Sequence, residues 1–233
     1  MKEKINAAVA KDPTRQLRSV YQEVVSEMPA NDVTVPQFYN IQSSLKRFRA
    51  SCMPPLPDDV YSVAIEGTWA ETWANERFLS KIDNNWGIAI FATRKNLKRL
   101  SKCKTIFIDG TFKSCPRPYS QFITIHGMYH GRVLPLAMCL ASGKTVAHYR
   151  QFVKHIYRQV YTVTHQHLAP RTVICDFEMA LITALRTELP DTNVRGCYFH
   201  FCQALWRKIQ ALGLATAYKQ SENCKNACGN AWH

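Results

Sequence analysis

The chain has 233 residues, of which 46% are hydrophobic and 20% charged, a composition typical of a folded globular protein rather than a disordered one. Its 30 Lys and Arg residues outnumber 17 Asp and Glu residues, giving a net charge of +13. This charge favours a polyanionic partner, although a protein that is merely basic is the alternative. No apolar run approaches the ~18 residues of a membrane span, and the amino-terminal segment lacks the apolar core of a secretory signal. We therefore expect an intracellular protein without a membrane partner.

The chain contains nine cysteines, an odd number, and most of them lie within apolar runs. In a reducing compartment this pattern predicts free thiols, a few of which are candidate metal ligands, rather than a disulfide framework. The cysteines occupy positions 52, 103, 115, 139, 175, 197, 202, 224 and 228.

The amino-terminal region predicts two helices. We expect residues 1–12 to be a frayed start. Apolar residues at helical spacing then predict one helix over 17–28 and a second over 38–48. Thr34 and Gln37 form a candidate capping box for the second helix.

The outer face of this second helix is basic and carries Lys46 and Arg47. Two short helices of which the second is basic are typical of a helix-turn-helix, which makes these side chains candidate DNA contacts. Because most helix pairs bind no DNA, a purely structural helical segment is the alternative.

A proline-rich segment at residues 52–59 is the best candidate for a domain boundary. We expect a helical lead-in over 1–55, a core over 56–221 and a divergent tail over 222–233. After the boundary, short apolar runs predict strands near residues 61–65, 77–82 and 87–91.

Basic residues are concentrated in the segment 93–104, which includes Arg94, Lys95, Lys98 and Arg99. A helix that contacts the phosphate backbone of DNA is one interpretation of this segment. A basic helix that is simply solvated is the other.

The remainder of the chain predicts an α/β fold. An apolar run over 104–112 predicts a buried strand ending in an Asp-Gly turn, and two further strands meet in a hairpin around 129–131. Apolar spacing predicts an amphipathic helix over 149–160, followed by a strand and a helix. A short strand over 194–200 and a last helix over 201–212 follow. Three antiparallel strands and then alternating strands and helices are typical of the α/β class.

Two acidic residues each follow an apolar strand, Asp109 after Thr-Ile-Phe-Ile and Asp176 after Thr-Val-Ile-Cys. The carboxyl ends of strands form the ligand crevice of open α/β sheets, so we expect two carboxylates side by side. Their repulsion favours a hard divalent cation, Mg²⁺ or Mn²⁺, as used in phosphoryl transfer. For each acid alone, a local role is the alternative: Asp109 in a turn, and Asp176 capping a helix that begins near Glu178.

Cys197 and His200 have the Cys-x-x-His spacing of half a zinc site, and Cys202 lies close by in the sequence. Because there is no second pair, core packing or a local hydrogen bond is the favoured interpretation and zinc the lesser one. A looser cluster, which we attribute to chance composition, consists of Cys224, Cys228 and His233.

Three motifs in order resemble the MULE (Mutator-like element) transposase domain: IFIDGTF at 106–112, VICDFEMAL at 173–181 and GCYFHFCQALWRKIQALGL at 196–214. The similarity extends over residues 75–221. It implies an RNase H-like mixed sheet with flanking helices.

The resemblance also implies a metal site of three carboxylates. Asp109 matches the first acid and Asp176 the second. Cys197 and His200 match the Cys-x-x-His motif that lies between the second and third acids of the family. The third acid, a glutamate, lies well beyond that motif in the family.

The last residues depart from the family pattern, because the sequence ends at His233 without a matching third acid. Glu222 is too near the Cys-x-x-His motif, and Glu178 belongs to the second motif. Apolar periodicity is also lost after residue 220. We therefore expect a truncated core with an altered tail, weak metal binding and impaired strand transfer.

By resemblance, the protein is a transposon-derived domain that binds DNA in the nucleus and descends from a Mg²⁺- or Mn²⁺-dependent enzyme of DNA cleavage and strand transfer. Assembly into a homo-oligomer is compatible with this reading. A domesticated or pseudogene-derived module without catalytic activity, binding DNA or protein, is the alternative. A third alternative is a chain that cannot fold alone.

Overall fold

The computed structural model describes residues 1–28, 35–112 and 114–220. The chain divides into two compact units, of which the first is Met1–Leu56 and the second begins at Pro57. We describe each unit by itself.

The first unit consists of three helices: α1 (Lys2–Lys11), α2 (Leu17–Ser26) and α3 (Phe38–Ser51). The expected frayed start is wrong, because residues 2–11 form a helix. Ile5 and Val9, one helical turn apart, are fully buried in a small core that also contains Leu45 of α3. A helix of this length and polarity is not stable in isolation, and burial of the two apolar side chains stabilises α1.

The start of α3 differs from the predicted capping box. Gln37 is the N-cap residue, and its side chain makes no capping hydrogen bond. Thr34, the other half of the predicted box, lies outside the described residues.

The second unit combines seven strands with helices in its described part. Its strands are β1 (Leu79–Asp83), β2 (Ile88–Phe91), β3 (Thr105–Thr111), β4 (Gln121–Tyr129), β5 (Arg132–Ala141), β6 (Thr172–Cys175) and β7 (Asn193–Gly196). Its helices are α4 (Arg94–Leu100), α5 (Val146–Thr164), α6 (Met179–Glu188), α7 (Tyr198–Ala211) and α8 (Ala215–Gln220).

All seven strands form one mixed sheet in the order β1-β2-β5-β4-β3-β6-β7. In the first part of this order, β1-β2-β5-β4-β3, each neighbouring pair is antiparallel. Strands β3, β6 and β7 run parallel to one another. Helix α5 connects β5 to β6, and α6 connects β6 to β7. This arrangement confirms the α/β class and brings the carboxyl ends of β3, β6 and β7 to one edge of the sheet.

The main core forms where the apolar faces of α4, α5 and α6 pack with the sheet. The predicted amphipathic helix is confirmed in α5, whose Phe152, Ile156 and Val160 are fully buried. The predicted hairpin is confirmed too: His130 and Gly131 connect β4 to β5 with positive φ angles of 49° and 73°, which match a tight two-residue turn.

The expected strand at residues 61–65 is wrong. The carboxylate of Asp59 accepts hydrogen bonds from the backbone amides of Tyr61 at 2.7 Å and Ser62 at 2.8 Å, which fixes a turn. Val60 and Val63 are buried in a satellite cluster, so their apolar character reflects packing of a loop rather than strand pairing.

Two element boundaries in the core also differ from expectation. The Asp-Gly pair forms no turn, because β3 continues to Thr111 and Gly110 pairs with Ile123 of β4. The predicted strand over 194–200 ends at Gly196, and α7 already begins at Tyr198. Among the described residues, no helix combines the length and the apolar character needed to cross a membrane.

Candidate active site

The two predicted acids come directly after the last paired residues of the neighbouring parallel strands β3 and β6. In the register of β3 and β6, Ile108 is opposite Cys175, so Asp109 and Asp176 are the next residues on each strand. Because hydrogen-bonded strands lie about 4.8 Å apart, the two carboxylates originate from adjacent points of the backbone. The side chain of Asp109 is 55% exposed and reaches solvent.

Strand β7 brings the Cys-x-x-His motif to the same edge. Cys175 of β6 pairs with Gly196 of β7, and the amide of Cys197 donates a 2.7 Å hydrogen bond to the carbonyl of Cys175. Cys197 occupies the N-cap position of α7 without a capping hydrogen bond from its side chain, and the first turn of α7 carries His200. The Nε2 atom of His200 lies 3.8 Å from Oδ1 of Asp109.

The other ring nitrogen of His200 has an unusual environment. Its Nδ1 atom is buried, and within the described part of the chain it has no hydrogen-bond partner. Such a buried polar atom is costly unless a group supplied by binding satisfies it. In the described part of the chain, His200 is therefore oriented toward Asp109 by packing and by the 3.8 Å contact rather than by a hydrogen bond.

A buried chain of hydrogen bonds supports the turn that follows β6. The amide nitrogen of Gln121 donates to the hydroxyl of Tyr149 at 2.6 Å, and this hydroxyl donates to the carboxylate of Glu178 at 2.8 Å. The backbone amide of Glu178 in turn donates to Oδ1 of Asp176 at 3.2 Å. The network ties β4, α5 and the start of α6 to one of the two acids.

The chemistry of this network follows from burial. Gln121 and Tyr149 are each 1% exposed. Burial is the main reason why the pKa of Tyr149 is raised above its usual range, although the hydrogen bond from Gln121 acts in the opposite direction. Tyr149 therefore remains a neutral donor to Glu178 at any physiological pH.

Gly110 is required by the same network. A Cβ atom on Gly110 would lie 2.5 Å from the buried amide nitrogen of Gln121. Because a non-bonded Cβ atom does not approach a nitrogen that closely, the glycine beside Asp109 leaves the space that the Gln121 side chain occupies.

Asp176 is not the N-cap residue of α6 but lies two residues before it, and its role as a metal ligand stays a prediction. It accepts the amide of Glu178, which is itself the N-cap residue of α6, so it helps to start that helix. It also follows β6 directly at the shared edge. Asp109, by contrast, lies inside β3, which excludes the predicted turn role.

The cysteines at this edge form no complete metal site. Cys197 and Cys202 are free thiols. In the residues described, no group of three His, Cys, Asp or Glu side chains is arranged to hold a metal ion. Burial, followed by the nearby Asp176 and Cys197, raises the pKa of Cys175 to about 11, so this thiol stays protonated at neutral pH. Zinc binding by Cys197 and His200 stays a prediction, and Cys224, Cys228 and His233 lie beyond the described part of the chain.

The donor set at the edge fits a hard divalent cation. Asp109 and Asp176 supply carboxylate oxygens, the ligands that Mg²⁺ and Mn²⁺ prefer. The exposure of Asp109 leaves room for water to complete an octahedral shell. Soft thiolate ligands are not needed for this chemistry.

The predicted basic residues lie elsewhere in the fold. Leu97 and Leu100 bury one face of α4 in the core, which leaves Arg94, Lys95 and Lys98 exposed and Arg99 half-buried. The chain after α4 enters the amino end of β3, whereas Asp109 lies toward its carboxyl end. The structure therefore does not bring α4 to the acids.

Lys46 and Arg47, the other predicted DNA contacts, are exposed on α3 of the first unit.

Sequence reasoning missed Gln121, Tyr149 and Glu178 as a unit. Tyr149 fits the apolar stripe of α5, so its spacing indicated packing and concealed its hydroxyl. The available signal was Gln121, a polar residue at the first position of β4, which the burial pattern of the strand places on its buried side.

Comparison with known proteins bears on this architecture. The family model for the MULE transposase domain matches residues 105–204, from the first residue of β3 into α7. The matched segment contains both acids, the buried network and the Cys-x-x-His motif, and its mixed sheet is consistent with the RNase H-like fold of that domain. No curated protein matches the chain significantly.

Proposed function

Residues 105–204 are a MULE transposase domain, and from this premise we propose that the protein binds DNA and that its carboxylate edge served metal-dependent DNA cleavage and strand transfer. One observation carries the proposal: Asp109 and Asp176 follow paired residues at the carboxyl ends of adjacent parallel strands. Two carboxylates so placed repel each other and attract a cation.

Asp109 and Asp176 would hold Mg²⁺ or Mn²⁺. When bound, such a cation supplies activation of an attacking oxygen, from water or a DNA 3′-hydroxyl, and stabilisation of the leaving oxygen in an in-line displacement at phosphorus. The carboxylate of Asp109 is 55% exposed, and in the proposed complex it would face the DNA. Asp176 is held by the amide of Glu178, so its orientation is fixed before any ligand arrives.

His200 and the buried network would act on this pair of acids. The imidazole of His200 beside Asp109 restrains the more exposed of the two carboxylates. Tyr149 and Gln121 hold Glu178 and, through its backbone, the turn that carries Asp176. These residues position the acids and need not touch DNA.

We call the edge of the sheet that carries Asp109 and Asp176 the acid edge. DNA would also contact basic surfaces outside it. On α4, the exposed Arg94, Lys95 and Lys98, together with Arg99, would neutralise backbone phosphates, and Lys46 and Arg47 would do so on α3. We further propose that the protein acts in the nucleus, where its DNA substrate is found, and as a homo-oligomer. Zinc at Cys197 and His200 is a secondary proposal.

The proposal is tested by nicking of supercoiled plasmid DNA with Mn²⁺ at low ionic strength, because phosphate-driven binding weakens as salt rises. We expect Asp109→Asn and Asp176→Asn each to lower nicking by roughly 100-fold or more, since each substitution removes a charge at the reacting centre. Asp191→Asn is the matched control, because this exposed aspartate precedes β7 at the opposite edge of the sheet. Equal nicking by the wild type and both variants would contradict the proposal.

A second candidate function is a DNA-binding module without catalytic activity. It is favoured by one observation: among the described residues, no third ligand completes a metal cluster with the two aspartates. The same experiment separates the candidates. Retained DNA binding with no Mn²⁺-dependent nicking by any form of the protein would support the module.

A further inference from the structure

Large aromatic side chains are exposed at the end of each strand that forms the acid edge. Phe112 follows β3, Phe177 follows β6, and Phe199 lies in the first turn of α7 after β7; they are 53%, 53% and 61% exposed. The three strands are neighbours in that order. We call Phe112, Phe177 and Phe199 the aromatic edge.

The ring of Phe177 lies close to the backbone of Gly196. A Cβ atom on Gly196 would lie 2.4 Å from Cε1 and 2.5 Å from Cζ of Phe177. The ring therefore lies directly over the backbone of the last residue of β7, and only a glycine there permits this position. With this ring 53% exposed, Phe177 presents an aromatic face to solvent beside the end of β7.

The other two rings lie beside polar groups of the same edge. The Nζ atom of Lys144, which precedes α5, lies 5.4 Å from the centroid of the Phe112 ring, a cation–π contact. The ring of Phe199 lies edge-on to His200 at 5.6 Å, and His200 adjoins Asp109. Aromatic faces therefore alternate with a cation, an imidazole and the acids.

This alternation decides which ligand fits. A protein partner that covers an apolar patch buries contiguous aliphatic and aromatic surface, with charged residues at the rim. Here a lysine ammonium lies over the ring of Phe112, the imidazole of His200 adjoins the ring of Phe199, and Phe177 directly follows Asp176 in the chain. Nucleic acid has the matching pattern, because each nucleotide offers a flat base that stacks on an aromatic ring and a phosphate that binds a cation. In a duplex the base faces are covered by neighbouring bases, so only unpaired bases can stack on protein.

We infer that the aromatic edge binds unpaired bases of a DNA strand next to the carboxylates. The inference rests on the proposed function for the nature of the polymer and adds that the substrate is single-stranded or locally melted at this point. Strands spaced by about 4.8 Å separate the ends of β3 and β7 by about 10 Å, a span that a few nucleotides cover.

Stacking is measured with the full chain and an oligonucleotide that carries 2-aminopurine, whose fluorescence is quenched when it stacks on an aromatic ring. We expect quenching with the single strand, and we expect Phe177→Leu to weaken single-strand binding roughly tenfold while duplex binding is unchanged. Phe177→Tyr keeps the aromatic face and should retain both quenching and affinity. Trp73→Leu, at an 81% exposed aromatic residue before β1, is the matched control and should change neither.

Two results would overturn the inference. One is equal single-strand affinity and quenching in the wild type and Phe177→Leu. The other is self-association that sedimentation detects in the wild type and that Phe177→Leu abolishes without any effect on DNA, which would make the aromatic edge a protein interface. The nicking result is independent of the stacking result. Quenching that persists in a nicking-deficient Asp109→Asn variant supports the inference. Absence of quenching by a wild type that nicks DNA overturns the inference and leaves the proposed function standing.

Discussion

His155 couples the protonation of a single residue to the stability of the second unit. Its Nε2 atom lies 2.8 Å from the hydroxyl oxygen of Ser80, which joins α5 to β1. Burial, followed by the positive charges of Lys81 and Arg158, lowers the pKa of His155 to about 4. The folded protein therefore contains a neutral imidazole at every pH above that value.

The sign of the pH dependence follows from this lowered pKa. Between pH 6.5 and 4 the unfolded chain binds a proton that the folded protein does not, so stability is fully present above pH 6.5 and is lost as pH falls toward 4. Allowing for partial exposure, we expect a loss of about 1–2 kcal/mol over this range. Urea unfolding of the wild type and of His155→Gln at several pH values measures it. An equally steep pH dependence in His155→Gln would contradict the assignment, and His130→Gln, on an exposed turn, is the control.

At the residue scale, sequence patterns predicted the acids but not their surroundings. Apolar runs that end in Asp identified Asp109 and Asp176, because strand burial and strand ends are local properties. The Asp-Gly pair was assigned to a turn, as is usual for these residues. Gly110 is instead explained by Gln121, a contact from another strand that no local pattern contains.

Among the secondary-structure elements, helix α5 connects the hydrophobic core to the acid edge. Its apolar positions bury the helix against the sheet, and its Tyr149 hydroxyl contacts both Gln121 on β4 and Glu178 before α6. One side chain therefore fixes three elements relative to one another.

We expect Tyr149→Phe to lower the free energy of unfolding by about 1–3 kcal/mol, because the buried amide nitrogen of Gln121 would lose its partner. The Oε1 atom of Gln121 already has no partner among the described residues, so the side chain cannot compensate by simple rotation. Urea unfolding checks this value. Tyr161→Phe, on an exposed part of the same helix, should lower the free energy of unfolding by less than about 0.5 kcal/mol. Equal effects of the two substitutions would contradict the stabilising role of the Tyr149 hydroxyl.

Elements whose apolar residues follow one clear spacing were predictable. Elements in which residue preference and spacing disagree were not. The spacing in α5 predicted its buried residues because one face of a long helix is fully covered. The Tyr-Phe-His run at residues 198–200 was assigned to the end of a strand, a conformation that aromatic residues favour. It forms the first turn of α7, where Tyr198, Phe199 and Phe201 remain exposed, so no buried face marked it as helical.

At the scale of the whole molecule, the basic residues of α4 and the two acids lie toward opposite ends of β3. The net charge of +13 favours DNA, yet the basic α4 leads to the end of β3 opposite the acid edge. A strand of seven residues is about 23 Å long. A duplex that contacted both α4 and the acids would therefore have to pass along the length of the sheet, and only a short part of it would meet the acids.

Binding of Mn²⁺, followed by the loss of the free-ion signal in electron paramagnetic resonance, tests most directly whether Asp109 and Asp176 together hold a divalent cation. We predict that the wild type and Asp191→Asn bind Mn²⁺ equally, that each single substitution of Asp109 or Asp176 by Asn weakens binding, and that the double substitution abolishes it. Unchanged Mn²⁺ binding by the folded double variant would contradict a metal site at the carboxyl ends of β3 and β6.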